Sequence, residues 1–181
     1  MVKKVILVTG MPGSGKSKVE EVAKELNFPI FNMGDVIREE VMKRGLKEGA
    51  KSYEFVMRDI RAKTGDQIVA KRTIQKLDQI EADIVCIDGV RSLEEVRYFR
   101  MFFEVKILAI LSSFKIRLQR LSMRNRPDDP KTSKELEKRD RTELELGLGR
   151  VIATADYFII NDSRPQDDFK ERIRAKLFES L

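Results

Sequence analysis

The sequence predicts an α/β fold: a parallel β-sheet with helices on both faces. Three observations carry that expectation. First, five short apolar runs read as strands: Val5-Ile6-Leu7-Val8, Pro29-Ile30-Phe31, Ile84-Val85-Cys86-Ile87, residues 105–111 and Tyr157-Phe158-Ile159-Ile160. Near-continuous hydrophobicity is what strands covered on both faces show. Second, longer segments with helical spacing separate the runs, and that alternation packs as a parallel sheet between helices. Third, the first run leads directly into Gly10-Met11-Pro12-Gly13-Ser14-Gly15-Lys16-Ser17 and then into a helix-compatible segment, 17–26. Strand, tight loop and helix in that order form a βα joint.

The remaining elements follow in chain order. Residues 34–65 read as helices with a break at 45–52, and 66–79 continues helical. Residues 92–102 form another helix, as do 114–123, where Ile116, Leu118 and Leu121 are the apolar positions. Residues 124–132 contain Pro127 and Pro130 and read as a loop. Ser133 is the expected N-cap of a helix through Leu146, ended by Gly147 and Gly149. A last helix spans 167–180, with Phe169, Ile173 and Leu177 as its core stripe.

Composition narrows the chemistry. The chain has 181 residues, which implies one domain with a real core. No apolar run approaches the roughly 20 residues a bilayer-spanning helix needs. The N-terminal residues run straight into the first strand, so no signal peptide is expected and the cytoplasm is the expected location. The single cysteine, Cys86, rules out an internal disulfide and reads as buried packing. Histidine is absent, which removes imidazole bases and histidine metal sites. Any metal must then be held by oxygens, which points to Mg²⁺. The net charge of +6 fits two partners: nucleic acid, or polyphosphates in an arginine-lined pocket. The positions of the arginines favour the second.

The glycine-rich stretch fits G-x-x-x-x-G-K-[ST] in its proper strand–loop–helix context, and so reads as a phosphate-binding loop. Glycines let the backbone approach a phosphate and adopt conformations closed to other residues. The loop N–H groups and the helix N-terminus then face the anion. Lys16 is placed to reach the β- and γ-phosphates of ATP, and the Ser17 hydroxyl to bind Mg²⁺. Asp88 ends the third strand, followed by Gly89. It is a second candidate for the metal, or the start of a plain turn.

Asn32-Met33-Gly34-Asp35-Val36-Ile37-Arg38 opens a helix after the second strand. Asp35 and Arg38 lie one helical turn apart, at the strand ends that border the ligand crevice of such sheets. Arg38 is a candidate grip on an acceptor phosphate, and Asp35 a candidate to orient the acceptor or take a hydroxyl proton. Simple capping and surface charge are the alternatives. Arg117, Arg120, Arg124 and Arg126 lead into Pro127-Asp128-Asp129-Pro130, with Arg139-Asp140-Arg141 beyond. The first two also fit ordinary surface charge. Arginines closing over a transferring phosphoryl group would stabilise its charge and exclude water. Arg126 and Arg139 are the first candidates, with Arg141 equal to Arg139.

At these residues the chain resembles the adenylate-kinase-like branch of P-loop kinases. Its loop is similar to that family's G-x-P-G-[SA]-G-K. Gly34-Asp35-Val36-Ile37-Arg38 resembles the family's Gly-Asp-hydrophobic-hydrophobic-Arg. Asp88-Gly89-Val90-Arg91 resembles Asp-Gly-Phe-Pro-Arg, one residue shorter. Arg126-Pro127-Asp128-Asp129 resembles the Arg-x-Asp-Asp at the end of the lid. The resemblance implies a three-layer sheet in the order 2-3-1-4-5, an acceptor-binding section at about 32–80 and a short lid at about 122–138. It also implies that Arg38 and Arg91 hold an acceptor and that Asn161, with Asp162 and Ser163, lies at the adenine. The chain is similar as well to an archaeal family related to adenylate kinases and grouped with dephospho-coenzyme A kinases, which carry an aspartate near Asp35 as base.

The expected activity is transfer of the γ-phosphate of Mg-ATP to a small, nucleotide-like acceptor, a nucleoside monophosphate first. Two alternatives stand beside it. One is phosphorylation of a hydroxyl, as in dephospho-coenzyme A. The other is a nucleotide-dependent switch or weak ATPase acting on RNA or protein. Monomer and homo-oligomer are both open.

Overall fold

The computed structural model describes residues 2–124, 126, 129–162 and 165–179. Pro127, Asp128, Ser163 and Ser180, which figured in the expectations above, lie outside the described residues. The five expected strands form: β1 (Lys4–Thr9), β2 (Ile30–Asn32), β3 (Ile84–Asp88), β4 (Glu104–Leu111) and β5 (Tyr157–Ile160). They pair in parallel in the order β2-β3-β1-β4-β5, as the resemblance implied.

The helices are α1 (Ser17–Glu25), α2 (Gly34–Lys43), α3 (Ala50–Thr64), α4 (Ile68–Leu77), α5 (Leu93–Arg100), α6 (Phe114–Arg124), α7 (Ser133–Glu145), α8 (Leu148–Ala153) and α9 (Gln166–Glu179). Alternate residues of β1 feed two cores, because successive side chains of a strand point to opposite faces. Val5 and Leu7 pack with Val36, Val56, Val69, Val96 and Val151 from the helices of one layer. Ile6 and Val8 pack with Val19 and Val22 of α1 and with Phe169, Ile173 and Leu177 of α9. Cys86 lies in this second core, where burial pushes its thiol up to about 12, as expected of packing rather than of a nucleophile.

Two local expectations are corrected. The N-cap of α7 is Thr132, not Ser133. The Thr132 side chain accepts from the Glu135 N–H while the Glu135 carboxylate accepts from the Thr132 N–H. The spacing T-x-x-E carries this reciprocal pair, and the sequence offers it one residue before Ser133. Gly147 does end α7, in a left-handed conformation with φ of 102°. Gly149, however, sits inside the short helix α8, which sequence periodicity did not predict.

Register sets the site. Val8 of β1 and Asn32 of β2 flank Asp88 at the C-terminal edge of the sheet. The loop after β1, the end of β3 and the start of α2 therefore open onto one side.

Candidate active site

Residues 10–17 form a nest of backbone. Gly10, Gly13 and Gly15 all have positive φ. All three are also sterically crowded, and a Cβ on Gly10 would stand 2.3 Å from the Ile110 carbonyl oxygen. A Cβ on Gly13 would stand 2.9 Å from the Arg117 carbonyl and the Leu121 side chain, and one on Gly15 would stand 2.1 Å from Asn161 Nδ2. No side chain caps the N-terminus of α1, which starts directly at the loop; its Lys18 and Val19 N–H groups donate to the Gly15 and Lys16 carbonyls. Orphan N–H groups and the helix dipole together favour an anion there. Pro12 and Ser14 are buried, while Met11 is half-buried and Ser17 exposed.

The Lys16 ammonium folds back over the loop. Its Nζ donates to the Gly10 carbonyl at 2.6 Å and to the Met11 carbonyl at 3.3 Å. Burial pushes its pKa below the usual lysine value, opposed by Asp88 and Glu143 and reinforced by Arg91 and Arg139. The lysine therefore gathers around it residues from the loop, from β3, from the segment after β3 and from α7.

Asp88 carries the clearest unfilled valence. Its Oδ2 accepts from Asn32 Nδ2 at 3.3 Å, and its Oδ1 is buried with no partner among the described residues. Burial pushes this carboxyl up, against the pull of Lys16 and Arg91. An orphaned, buried carboxylate oxygen beside a phosphate nest fits an oxygen-bound Mg²⁺ shared with the Ser17 hydroxyl and nucleotide phosphates. Among the described residues no three acidic or cysteine side chains gather around a metal. A site completed by phosphate and water oxygens does not need them.

Asn32 is a site residue that sequence reasoning missed. Its Oδ1 accepts from the Gly34 N–H at 2.8 Å, and its Nδ2 steadies Asp88. It thus takes up the first N–H of α2, whose N-cap position is Met33 and not the Gly34 or Asp35 of the capping alternative. The signal was available: an asparagine at a strand end, two residues before a helix. Asp35 and Arg38 do share one face of α2. There they pair with each other, Arg38 Nη2 to Asp35 Oδ1 at 2.5 Å, and both are exposed.

Arg117 and Arg120 are not surface charge. Arg117 is buried, donates to the Pro12 carbonyl at 3.1 Å and forms a two-pronged pair with Asp140 of α7 at 2.8 and 2.6 Å. Arg120 reaches the Ser14 carbonyl and Asn161 Oδ1, and Asn161 Nδ2 donates to the same carbonyl at 2.8 Å. Both arginines and Asn161 buttress the loop from behind. The two arginines sit one turn apart on α6, but Pro12, Ser14, Asp140 and Asn161 are 23 to 106 residues away, which no local pattern reveals. Replacing Arg117 with Met leaves Asp140 without its partner and frees the loop. Breaking a buried pair costs about 3–5 kcal/mol, a fall in melting temperature of about 10 °C for a chain of this size. Thermal melts check this, and Asp140→Leu added to the same chain should recover part of the loss.

Of the arginines expected over the transferring group, Arg139 is half-buried and acts on Lys16, whereas Arg141 points to solvent. Arg126 is exposed, and its N–H donates to Asp129 Oδ2 at 2.9 Å. Asp129 also binds Arg124 and lies 3.9 Å from Arg139. Arg91 is held by Glu143 of α7, Nε to Oε2 at 2.7 Å, and that carboxylate raises its pKa.

Comparison with known proteins agrees with this architecture. The AAA domain family matches residues 9–137. A UPF0200 protein from Hyperthermus butylicus is 42% identical over 158 residues, covering 87% of this chain and 85% of its own. Among solved structures, TT1252 from Thermus thermophilus superposes with a TM-score of 0.67 at 19% identity, covering 99% of this chain and 98% of its own. Shikimate kinase from Aquifex aeolicus does so with a TM-score of 0.54 at 18% identity, covering 98% and 95%. The fold is thus the three-layer α/β/α sheet of P-loop kinases. On sequence, the chain belongs to the UPF0200 family and carries an AAA-type P-loop domain.

Proposed function

We propose that the chain is a Mg-ATP-dependent small-molecule kinase whose acceptor is a nucleoside monophosphate. One observation carries the reading: Lys16 lies folded on a glycine-built loop within electrostatic reach of Arg91, Arg139 and Asp88, whose buried Oδ1 is open. The kinase named among the solved structures of this fold supports the reaction class. Resemblance to adenylate kinases supports the acceptor.

In this account the loop N–H groups hold the donor's phosphates. Lys16 leaves the Gly10 and Met11 carbonyls for the β- and γ-phosphates. Ser17 and Asp88 hold Mg²⁺, which when bound neutralises charge on the transferring group. Arg38 and Arg91 grip the acceptor, and Arg139 covers the reacting oxygens. An acceptor phosphate oxygen is already anionic, so no base is needed. The direct test is ADP release from Mg-ATP with AMP, CMP, UMP, GMP and dephospho-coenzyme A offered in turn.

A second reading has one observation in its favour. Asp35 is exposed at the mouth of α2, where a base toward a hydroxyl acceptor would stand. Asp35→Asn separates the two. With a phosphate acceptor, turnover should fall less than about tenfold, because Asp35 merely orients Arg38. A hydroxyl acceptor would instead lose about 10²–10⁴-fold of the chemical step with binding intact.

A further inference from the structure

The acceptor side of the site carries a carboxylate with no role in the scheme above. Glu143 lies on α7, four residues after Arg139, so the two share one helix face. It is buried, and its Oε2 stands 2.7 Å from Arg91 Nε. That contact is a close ion pair which raises the Arg91 pKa, made through one carboxylate oxygen rather than as a two-pronged contact. The Arg91 backbone, by contrast, is firmly fixed. Its N–H donates to Glu95 Oε2 at 2.7 Å, and Arg61 Nη2 holds Glu95 Oε1 at 2.6 Å. The backbone of Arg91 is thus fixed at the site, and its guanidinium meets the Glu143 carboxylate through Nε. Guanidinium pairs best with planar oxygens in aligned, two-pronged contacts, which a phosphate can supply.

We propose that Glu143 sits, in the ligand-free protein, in the seat of the acceptor's phosphate on Arg91. It is a specificity-determining residue: it lowers affinity for the acceptor's anion. An entering phosphate competes for Arg91 and repels the carboxylate. Glu143 then swings off Arg91 by side-chain rotation, while α7 stays anchored by the Arg117–Asp140 pair and keeps Arg139 in place. Poorly charged acceptors cannot displace it, so the residue selects for a phosphate-bearing acceptor. The inference rests on the kinase reading for what the seat is used for, although the exchange itself can be measured without turnover.

The test titrates inorganic phosphate into protein whose nucleotide loop is already filled with Mg²⁺ and a non-hydrolysable ATP analogue. Glu143→Gln should bind phosphate at least about tenfold tighter than the parent. Arg91→Met should lose that binding, and Arg91→Met with Glu143→Gln should show no gain. Should Glu143→Gln fold poorly, Glu143→Asp keeps the charge but retracts it, and should tighten phosphate binding by a smaller factor. Unchanged or weaker phosphate binding in a folded Gln or Asp variant overturns the proposal. So does a collapse of ADP release with phosphate affinity unchanged, which would make Glu143 a base. If phosphate tightens as expected but no acceptor stimulates ADP release from the parent, the exchange stands and the kinase reading falls. If an acceptor stimulates release and phosphate does not tighten, the reverse holds.

Discussion

Lys16→Ala is expected to lower turnover by about 10²–10³-fold or more, the loss that follows removal of one aimed stabiliser of transferring charge. ATP binding should weaken as well. A hydrogen bond to a charged group contributes about 1.5–3 kcal/mol, or about 10–100-fold in affinity. The fold should survive, because the ammonium's own contacts are two loop carbonyls. Removing a charge that burial disfavours also takes a cost out of the folded state. Calorimetric titration with Mg-ATP and an ADP-release assay measure both losses. Unaltered ATP affinity in a folded Lys16→Ala variant would mean that this loop does not hold the polyphosphate.

The second large effect is at Asp88. Asp88→Asn keeps the shape and the reach of Asn32 but removes the charge available to Mg²⁺. Metal assistance contributes several kcal/mol, so turnover should drop at least about 10²-fold and the dependence on magnesium concentration should shift upward. The same substitution should stabilise the protein without ligands. Burial raises the folded-state pKa of Asp88. An acid so raised loses native-state stability as pH climbs from the unfolded value, near 4, through the folded one. In chelator at neutral pH, Asp88→Asn should therefore melt higher than the parent by about 2–4 °C per kcal/mol recovered, and the gap should close in acid. A variant that melts lower while keeping magnesium-dependent turnover would contradict both halves.

The fold was legible because buried parallel strands announce themselves. The β-runs are near-continuously apolar, although the edge strand β5 leaves Phe158 and Ile160 exposed rather than covered on both faces, and the glycine loop between β1 and α1 fixes the direction of the first crossover. Helix ends were legible where chemistry is local, as at Ser92, whose side chain caps α5 as the start of the expected helix required. Thr132 against Ser133 was decided by Glu135, a residue three positions on. The site was legible at its charged centre and not at its supports. Lys16, Ser17 and Asp88 sit in patterns whose spacing states their geometry. Arg117 reads Pro12 across 105 residues, and Glu143 meets Arg91 only once α7 folds back over the site. Such partners depend on tertiary packing. The one sequence clue to Glu143 was its place a turn beyond Arg139. Arg38 and Asp35 were correctly placed on one face, but their mutual pairing needs side-chain geometry to see.

In the proposed function these residues move a phosphoryl group to a small acceptor rather than discharge it to water. Single-turnover ADP release from Mg-ATP, followed with and without each acceptor, tests this most directly. At least one nucleoside monophosphate should accelerate release by orders of magnitude and leave as the diphosphate. Slow release at the same rate with every acceptor, or acceleration by RNA or protein alone, would contradict it.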